Sequence, residues 1–205
     1  MLSLKNVSIS TRLSVLENAS YNFLNGFIYG IVAPNGAGKT TLFRSIAGLK
    51  EINKGEIRFN NQAVTNQRKN FFYLEDIEWL DQNLTGMDYL KFVQLKWESS
   101  LNIEEIVHLC RIDNFVNVPI RKYSKGMKQR LIFALYLISD AECYLMDEIL
   151  NGLDSDSRTM FFELLKKNRE KDKIIIITSH YLEDLRIICD SIVYLQDKQL
   201  KEGEK

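Results

Sequence analysis

Several features that would assign this chain to a common functional class are missing from its 205 residues. Lys and Arg together number 27, as do Asp and Glu, so the formal net charge is zero. A chain without net positive charge lacks the electrostatic footprint that nucleic acid or an anionic membrane surface attracts. We therefore do not expect nucleic acid as a partner, although a local basic patch would not show in the total.

Cysteine is scarce, and the three cysteines match no metal-binding spacing. Cys110, Cys143 and Cys189 each lie in an apolar stretch, which predicts buried thiols in a reducing compartment. The N-terminal residues show no signal-peptide pattern. The longest apolar runs, such as 131–138, are too short to span a bilayer. A role at the membrane therefore requires a separate partner chain.

What is present is an ordinary globular composition, with strand-like and helix-like segments in alternation. Hydrophobic residues make up 45% and charged residues 26%, enough for one domain with a substantial core. Strands are predicted at 2–9, 27–32, 55–61, 71–74, 143–146, 174–177 and 192–195. Helices are predicted at 42–48, 87–117, 131–138 and 158–171. This alternation predicts an α/β domain with a largely parallel sheet, and the polar–apolar alternation of 2–9 suits an antiparallel strand.

A glycine-rich turn stands between the predicted strand 27–32 and the first predicted helix. It reads Ala33-Pro34-Asn35-Gly36-Ala37-Gly38-Lys39-Thr40-Thr41. Small residues let successive backbone N–H groups point at phosphate oxygens, and the helix N-terminus adds the positive end of its dipole. Lys39 is predicted to reach the β- and γ-phosphates, and the Thr40 hydroxyl to hold Mg²⁺. The pattern usually begins with Gly, but Ala33 is compatible with any backbone that does not need a positive φ.

Two acids follow the apolar strand 143–146. Asp147 and Glu148 would lie at the carboxyl end of a parallel strand, where ligands bind in open α/β sheets. Asp147 is predicted to bind Mg²⁺, directly or through water. Glu148 is predicted to polarise an attacking water as a general base or positioning group. Without the phosphate cradle, an Asp-Glu pair would be an ordinary strand end at the surface.

Two further sets of polar residues indicate a phosphate-binding role, but each does so less specifically when taken alone. Ser124 and Gly126 open a predicted helix, where a hydroxyl and free N–H groups suit an anion. Taken alone, however, this segment is more simply an N-cap with a solvated basic turn. His180 follows strand 174–177 at the same predicted sheet edge, where it would hydrogen-bond a γ-phosphate or an attacking water. His108 has no such context and is predicted to be a surface residue.

Together, these motifs resemble those of the ATP-binding cassette (ABC) ATPases, the nucleotide-binding subunits of ABC transporters. The resemblance covers essentially the whole chain. The cradle is similar to the family's Walker A motif, Asp147 and Glu148 to Walker B with its catalytic glutamate, and His180 to the switch histidine. The run 151–154, which ends at Asp154, resembles the D-loop.

The segment 123–127 resembles the family's signature motif, which most often reads Leu-Ser-Gly-Gly-Gln. Ser124 and Gly126 are kept, whereas Lys125 and Met127 differ, and such versions resemble those of exporter ATPases. The resemblance implies a head-to-tail dimer of identical or different chains. ATP held by one subunit's cradle would meet Ser124, Lys125, Gly126 and Met127 of the other subunit.

The resemblance also implies a fold and a cellular role. It implies a P-loop NTPase core with an N-terminal antiparallel β-subdomain and an inserted helical subdomain at about 77–126, all within a single domain 1–205. ATP and Mg²⁺ are the implied cofactors, and ATP hydrolysis is coupled to transport through a separate transmembrane permease subunit. The chain would thus be a cytoplasmic protein on the inner face of the cell membrane. The permease, not this chain, would choose the substrate.

Two positions depart from the family pattern. The glutamine of the Q-loop falls on Asp76, or on Glu75 if the alignment is shifted by one residue. Asp76 would be an anionic Mg²⁺ ligand or would repel the γ-phosphate. The aromatic residue that stacks on adenine falls near Ser10, where no ring is present. We therefore expect weak discrimination between bases and weak ATP affinity in the isolated subunit.

Alternative interpretations stay open at this point. A cassette ATPase acting on DNA or ribosomes is opposed by the lack of a coiled-coil insertion, by the chain length and by the neutral charge. A nucleotide-gated module with weak hydrolysis is permitted by the two departures but opposed by Glu148 and His180. The aromatic residues at 71–73 and Trp79 form either a docking surface for the membrane partner or part of the core.

Overall fold

The computed structural model describes residues 1–150, 152–179 and 182–203, which form two β-sheets and their covering helices. The strands are β1 (Leu2–Ser10), β2 (Ser14–Phe23), β3 (Phe27–Val32), β4 (Lys54–Phe59), β5 (Gln62–Ala63), β6 (Phe71–Tyr73), β7 (Cys143–Met146), β8 (Ile174–Thr178), β9 (Ser191–Gln196) and β10 (Gln199–Gly203). The helices are α1 (Lys39–Ile46), α2 (Gly86–Trp97), α3 (Ile103–Leu109), α4 (Lys125–Ser139), α5 (Ser155–Arg169) and α6 (Leu182–Ile188).

The larger sheet is the predicted parallel sheet. Its strand order is β10-β9-β3-β8-β7-β6, and every neighbouring pair is parallel except β9 and β10. In β8, Ile175 and Ile177 pack into the hydrophobic cluster on one face, and Ile174 and Ile176 into the cluster on the other. A strand buried on both faces needs apolar side chains at every position, which explains the uninterrupted run of isoleucines.

The smaller sheet is antiparallel and has the strand order β2-β1-β4-β5. Leu2, Leu4 and Ile9 of β1 are buried in the same cluster as Phe43 of α1. This arrangement confirms the predicted fold class. The sequence patterns did not indicate β2, because irregularities in its pairing with β1 interrupt the alternation of buried and exposed residues. The short elements β5, β10 and α6 were likewise not predicted.

The prediction of one helical segment over 87–117 is wrong, because two helices separated by a loop occupy this range. α2 ends where Glu98 adopts a left-handed conformation with φ 58°. α3 begins at a new cap, in which the Asn102 side chain accepts a hydrogen bond from the backbone N–H of Glu104. α3 ends at Leu109, well before Pro119, so the proline is not its terminator. The boundaries of a helical subdomain at 77–126 stay a prediction.

The cysteines and His108 lie where the sequence predicts. All three cysteines are buried, and burial raises the pKa of the Cys110 and Cys143 thiols. The His108 side chain is exposed. No helix within the described ranges is long and apolar enough to cross a membrane.

Candidate functional site

Four neighbouring strand ends bring the predicted residues to one edge of the parallel sheet. β3 leads into the glycine-rich turn, and β7 leads into Asp147 and Glu148. β8, which lies between β3 and β7, ends at Thr178, and β6 leads into Glu75 and Asp76. Because these strands are parallel, their carboxyl ends lie side by side. The site is therefore assembled from segments that are far apart in the sequence.

The glycine-rich turn adopts a backbone that requires glycine at two positions. Gly36 has φ 77° and Gly38 has φ 98°, in the region that other L-residues avoid. A Cβ on Gly38 would lie 2.6 Å from Cγ2 of Val15. Within the described residues no side chain caps α1 at Gly38, so the N–H groups of its first turn can bind an anion. Ala33 does not have a positive φ, and its departure from Gly is therefore accommodated without backbone strain.

The Lys39 side chain is folded against this turn and is only 9% exposed. Its Nζ donates a hydrogen bond to the carbonyl oxygen of Ala33 at 3.3 Å. The same Nζ lies 4.0 Å from Oε1 of Glu148. A cation therefore lies between the turn and the acidic end of β7.

Asp147 joins three elements of the site through two threonine hydroxyls. Oγ1 of Thr40 donates to its Oδ2 at 2.9 Å, and Oγ1 of Thr178 donates to its Oδ1 at 2.6 Å. The hydroxyl and carboxylate oxygens of Thr40 and Asp147 are thus adjacent, and this donor set fits Mg²⁺. Among the described residues no group of three or more His, Cys, Asp or Glu side chains is suited to hold a metal alone. A magnesium ion held by Thr40 and Asp147 would take its remaining ligands from water or from nucleotide phosphate oxygens.

Glu148 has a strained backbone next to this pair. Its φ of 53° is uncommon for a residue other than glycine. Its backbone N–H donates to Oγ1 of Thr178 at 2.9 Å, which fixes the turn that follows β7. Glu148 lines a cavity of about 250 Å³, together with Asp76, Lys125 and Asp147. Strain held by surrounding contacts is common at functional sites, and here it holds a carboxylate beside the phosphate cradle.

Comparison with known proteins identifies the family. A family profile described as ABC transporter matches residues 16–151. The chain belongs to the ABC transporter family. It is an ATP-binding subunit of such a transporter and an ATPase.

Individual relatives agree with this assignment. The chain is 30% identical over 213 residues to the uncharacterized ABC transporter ATP-binding protein YhcH of Bacillus subtilis (strain 168), covering 98% of the chain and 68% of that protein. It is 30% identical over 199 residues to Nod factor export ATP-binding protein I of Rhizobium sp. (strain N33), covering 92% and 66%. The fold matches that of the ATP-binding cassette MJ0796, solved as a dimer in a post-hydrolysis state bound to ADP and Pi. The TM-score is 0.85 at 24% identity, with 100% of the chain and 98% of that structure covered.

Thr178 is a site residue of this ABC ATPase that the sequence patterns do not single out. Its one hydroxyl donates to Asp147 and accepts from the N–H of Glu148. The only signal is a threonine that follows four isoleucines at the end of β8, immediately before Ser179 and His180. The contact depends on β7 and β8 being neighbours, which the sequence alone does not establish.

Asp76 and Glu75, the two candidates for the Q-loop position, have different partners. Glu75 accepts hydrogen bonds from Nε and Nη2 of Arg44, both at 2.6 Å. Oδ1 of Asp76 accepts from the N–H of Glu78 at 2.9 Å. Both acids line the cavity beside Asp147. Since Arg44 neutralises Glu75, Asp76 is the more suitable acid to act in the cavity. Its role there stays a prediction.

The substitution Asp76→Gln is expected to change the Mg²⁺ dependence of ATP hydrolysis. Removing one negative charge from the cavity weakens its attraction for a divalent cation and its repulsion of the γ-phosphate. Measuring the ATPase rate against Mg²⁺ concentration at saturating ATP would show a shifted midpoint. An unchanged curve would contradict a role for Asp76 at the metal.

The signature segment begins α4 and is accessible from outside the subunit. Ser124 is the N-cap, and its Oγ accepts from the N–H of Met127 at 3.3 Å. Ser124 and Lys125 are exposed, and no described atom lies within 4 Å of where a Cβ on Gly126 would be. The Lys125 side chain runs beside Gly152 of the D-loop segment and also lines the cavity. The helix N-terminus is therefore open to a second molecule.

Three predicted positions remain, in the D-loop, near the adenine-stacking position and at the switch histidine. Asp154 caps α5, and the hydrogen bond from the backbone N–H of Ser157 keeps its pKa below the usual value. The N–H and Oγ of Ser10 both donate to Oδ1 of Asn53, at 2.7 and 3.0 Å, so its hydroxyl is already engaged. His180 lies outside the described residues, and its role as switch histidine stays a prediction.

Proposed function

We propose that this chain is the ATP-hydrolysing motor subunit of an ABC exporter, in which two subunits close on two ATP molecules and drive a separate membrane permease. The main support for the proposal is that one subunit contains only half of a complete ATP site. The cradle, Asp147 and Glu148 are assembled within one chain, whereas the signature segment at α4 is exposed. A second subunit would supply the missing half of the site.

Within one subunit, each residue would have a separate task. The N–H groups of 36–41 and the Lys39 ammonium would bind the β- and γ-phosphates. Thr40 and Asp147 would hold Mg²⁺, which would neutralise charge on the phosphate oxygens. Glu148 would orient and polarise the attacking water, while Thr178 fixes the backbone that carries it. His180 would contact the γ-phosphate from the end of β8.

The second subunit would contribute the N-terminus of its α4. The Ser124 hydroxyl and the N–H groups at the start of α4 suit a phosphate, and Lys125 adds a cation. The open space at Gly126 would let the γ-phosphate approach the backbone closely. The dimeric state of the cassette MJ0796 supports the same assembly here. Loss of the γ-phosphate on hydrolysis would remove the contact and open the dimer.

Blocking the signature segment is expected to prevent ATP-dependent dimerisation. In a Glu148→Gln background, which slows hydrolysis, ATP should shift the chain from monomer to dimer in size-exclusion chromatography with light scattering. Adding Gly126→Asp would place a negative charge against the γ-phosphate and abolish the shift. Binding of a fluorescent ATP analogue to the monomer should be kept.

A matched charge change elsewhere serves as the control. Lys167→Gln lowers the charge by one, as Gly126→Asp does, at an exposed residue of α5, and should leave the ATP-dependent shift unchanged. If Gly126→Asp still formed the dimer with ATP, the signature segment would not complete a partner's site. Loss of the dimer together with loss of ATP binding to the monomer would also contradict the proposal, because it would indicate an effect within one subunit.

The surface that meets the permease would include Trp79. Its side chain is 64% exposed, whereas Phe71 and Phe72 are buried, so core packing explains those two rings and not Trp79. Trp79→Ala is expected to weaken co-purification with the permease subunit, without lowering the melting temperature. Phe72→Ala is the contrasting control, because removing a buried ring costs about 3–5 kcal/mol of folding free energy. A large loss of stability in Trp79→Ala would contradict docking.

The direction of transport and the cellular position follow from the same proposal. The exporter assignment rests on Lys125 and Met127 in the signature segment, and a relative that carries the name of an export ATP-binding protein supports it. A permease partner would hold the chain at the inner face of the cell membrane, where ATP is available.

A further inference from the structure

A short ion-paired segment, Glu75–Trp79, joins the nucleotide-binding helix to the signature helix. We call it the 75–79 bridge. At its first residue, Glu75 accepts two hydrogen bonds from Arg44 of α1. Near its other end, Glu78 pairs with Nζ of Lys128 of α4. Two acids only three residues apart are thus held by cations on two different helices.

Both cations lie one helical turn beyond a predicted phosphate-binding group. Arg44 follows Thr40 by four residues on α1, and Lys128 follows Ser124 by four residues on α4. The backbone N–H of Lys128 donates to the carbonyl oxygen of Ser124 at 2.9 Å, so the ion pair is attached directly to the first turn of α4. The bridge therefore links the cis phosphate cradle to the element that would meet the partner's ATP.

The Arg44–Glu75 pair is the more rigid of the two attachments. It is bidentate, and the Glu75 side chain is only 17% exposed. Oε2 of Glu75 also accepts from the Tyr73 hydroxyl at 3.3 Å, and the Arg44 guanidinium carbon lies 5.7 Å from the Trp79 ring centroid. Paired charge-assisted hydrogen bonds fix geometry as well as adding stability, and stacking on the ring adds a second restraint. The orientation of the bridge is thus tied to α1.

We propose that Arg44, Glu75, Glu78 and Lys128 are positioning residues for ATP hydrolysis. The two ion pairs hold Asp76 at the cavity and set the position of the α4 N-terminus relative to α1, so that a filled cradle orders the signature segment for dimer closure. This inference rests on the proposed function, since it concerns the same site. Neither cation belongs to the cradle, so the pairs affect turnover while binding of ATP is kept.

Steady-state kinetics of charge variants test the positioning role. Arg44→Gln and Glu75→Gln are each expected to lower kcat about tenfold, with KM for ATP within about twofold of the wild type. The exchanged pair, R44E with E75R, should recover most of the kcat that R44E alone loses. Glu78→Gln and Lys128→Gln should have smaller effects of about twofold, because Glu78 is more exposed than Glu75.

A second arginine–glutamate pair provides the control. Arg58 of β4 binds Glu56 at 2.8 Å at the surface of the antiparallel sheet, so Arg58→Gln should leave kcat and KM unchanged. Wild-type kcat in Arg44→Gln would overturn the inference. So would an exchanged pair no more active than R44E alone, because the loss in R44E would then not come from breaking the ion pair.

Fluorescence supplies a readout that does not need turnover. The emission of Trp79, taken as the difference between the wild type and Trp79→Phe, is expected to change when ATP is added. In Arg44→Gln this change should be lost while a fluorescent ATP analogue still binds. A change that survives in Arg44→Gln would overturn the inference. If the wild type lacked ATPase activity, the proposed function would fail, and the Trp79 signal would still decide whether the bridge responds to ATP.

Discussion

Glu148→Gln is expected to lower kcat for ATP hydrolysis by about 10²–10⁴ while leaving ATP binding intact. Glutamine keeps the size of the side chain but is a much poorer proton acceptor. The backbone position should not change, because the N–H of residue 148 is held by Thr178, and Lys39 should stay folded against the turn. The rate is measured as phosphate release, and binding with a fluorescent ATP analogue.

The same comparison separates a motor from a nucleotide-gated module. If the wild type and Glu148→Gln released phosphate at the same negligible rate, the chain would bind nucleotide without useful hydrolysis. Glu142→Gln is a matched control at the opposite end of β7. Its carboxylate contacts the Asn60 amide at the surface, so the rate should match the wild type. A comparable loss in Glu142→Gln would show that the strand, not the catalytic carboxylate, is being perturbed.

Gly38→Ala is expected to abolish measurable ATP binding and to lower the melting temperature. Residue 38 needs φ 98°, and a Cβ there would lie 2.6 and 2.7 Å from the two methyl carbons of Val15, which is buried in β2. A strained non-glycine residue costs about 1–3 kcal/mol, and overpacking against a stiff valine adds to that. The turn can relieve the strain only by moving the N–H groups that would bind phosphate.

Alanine variants of two other glycines separate the effect of backbone strain from that of steric overlap with Val15. Gly36 also has a positive φ, but no described atom lies within 4 Å of where its Cβ would be, so Gly36→Ala should lower stability less. Gly126 has neither a positive φ nor such a contact, and Gly126→Ala should melt like the wild type. Equal melting temperatures for Gly38→Ala and Gly126→Ala would contradict the geometry described for the cradle.

The sequence predicted the central layer well because its pattern there is local and uninterrupted. The isoleucines at 174–177 indicated a strand buried on both faces, and the turn at 33–41 indicated a strand, a phosphate cradle and a helix in that order. The prediction failed at 87–117, where apolar residues continue on both sides of a loop between two helices. Apolar residues at helical spacing, such as Leu90 and Val93, are followed by another such set that begins at Ile103. Glu98 in a left-handed conformation and the Asn102 cap divide this segment into α2 and α3.

The candidate site likewise has residues that local sequence patterns predict and contacts that they do not. The sequence by itself predicted the cradle from one short run of residues. With the cradle it predicted roles for Asp147 and Glu148, and the family resemblance added the signature segment. Only the tertiary structure decided that Thr178 binds both Asp147 and the backbone of Glu148. It also decided that both Glu75 and Asp76 line the cavity, and that Arg44 neutralises Glu75 but not Asp76. Strand order and helix packing create these contacts between distant segments, and no local pattern of residues encodes which strand ends become neighbours.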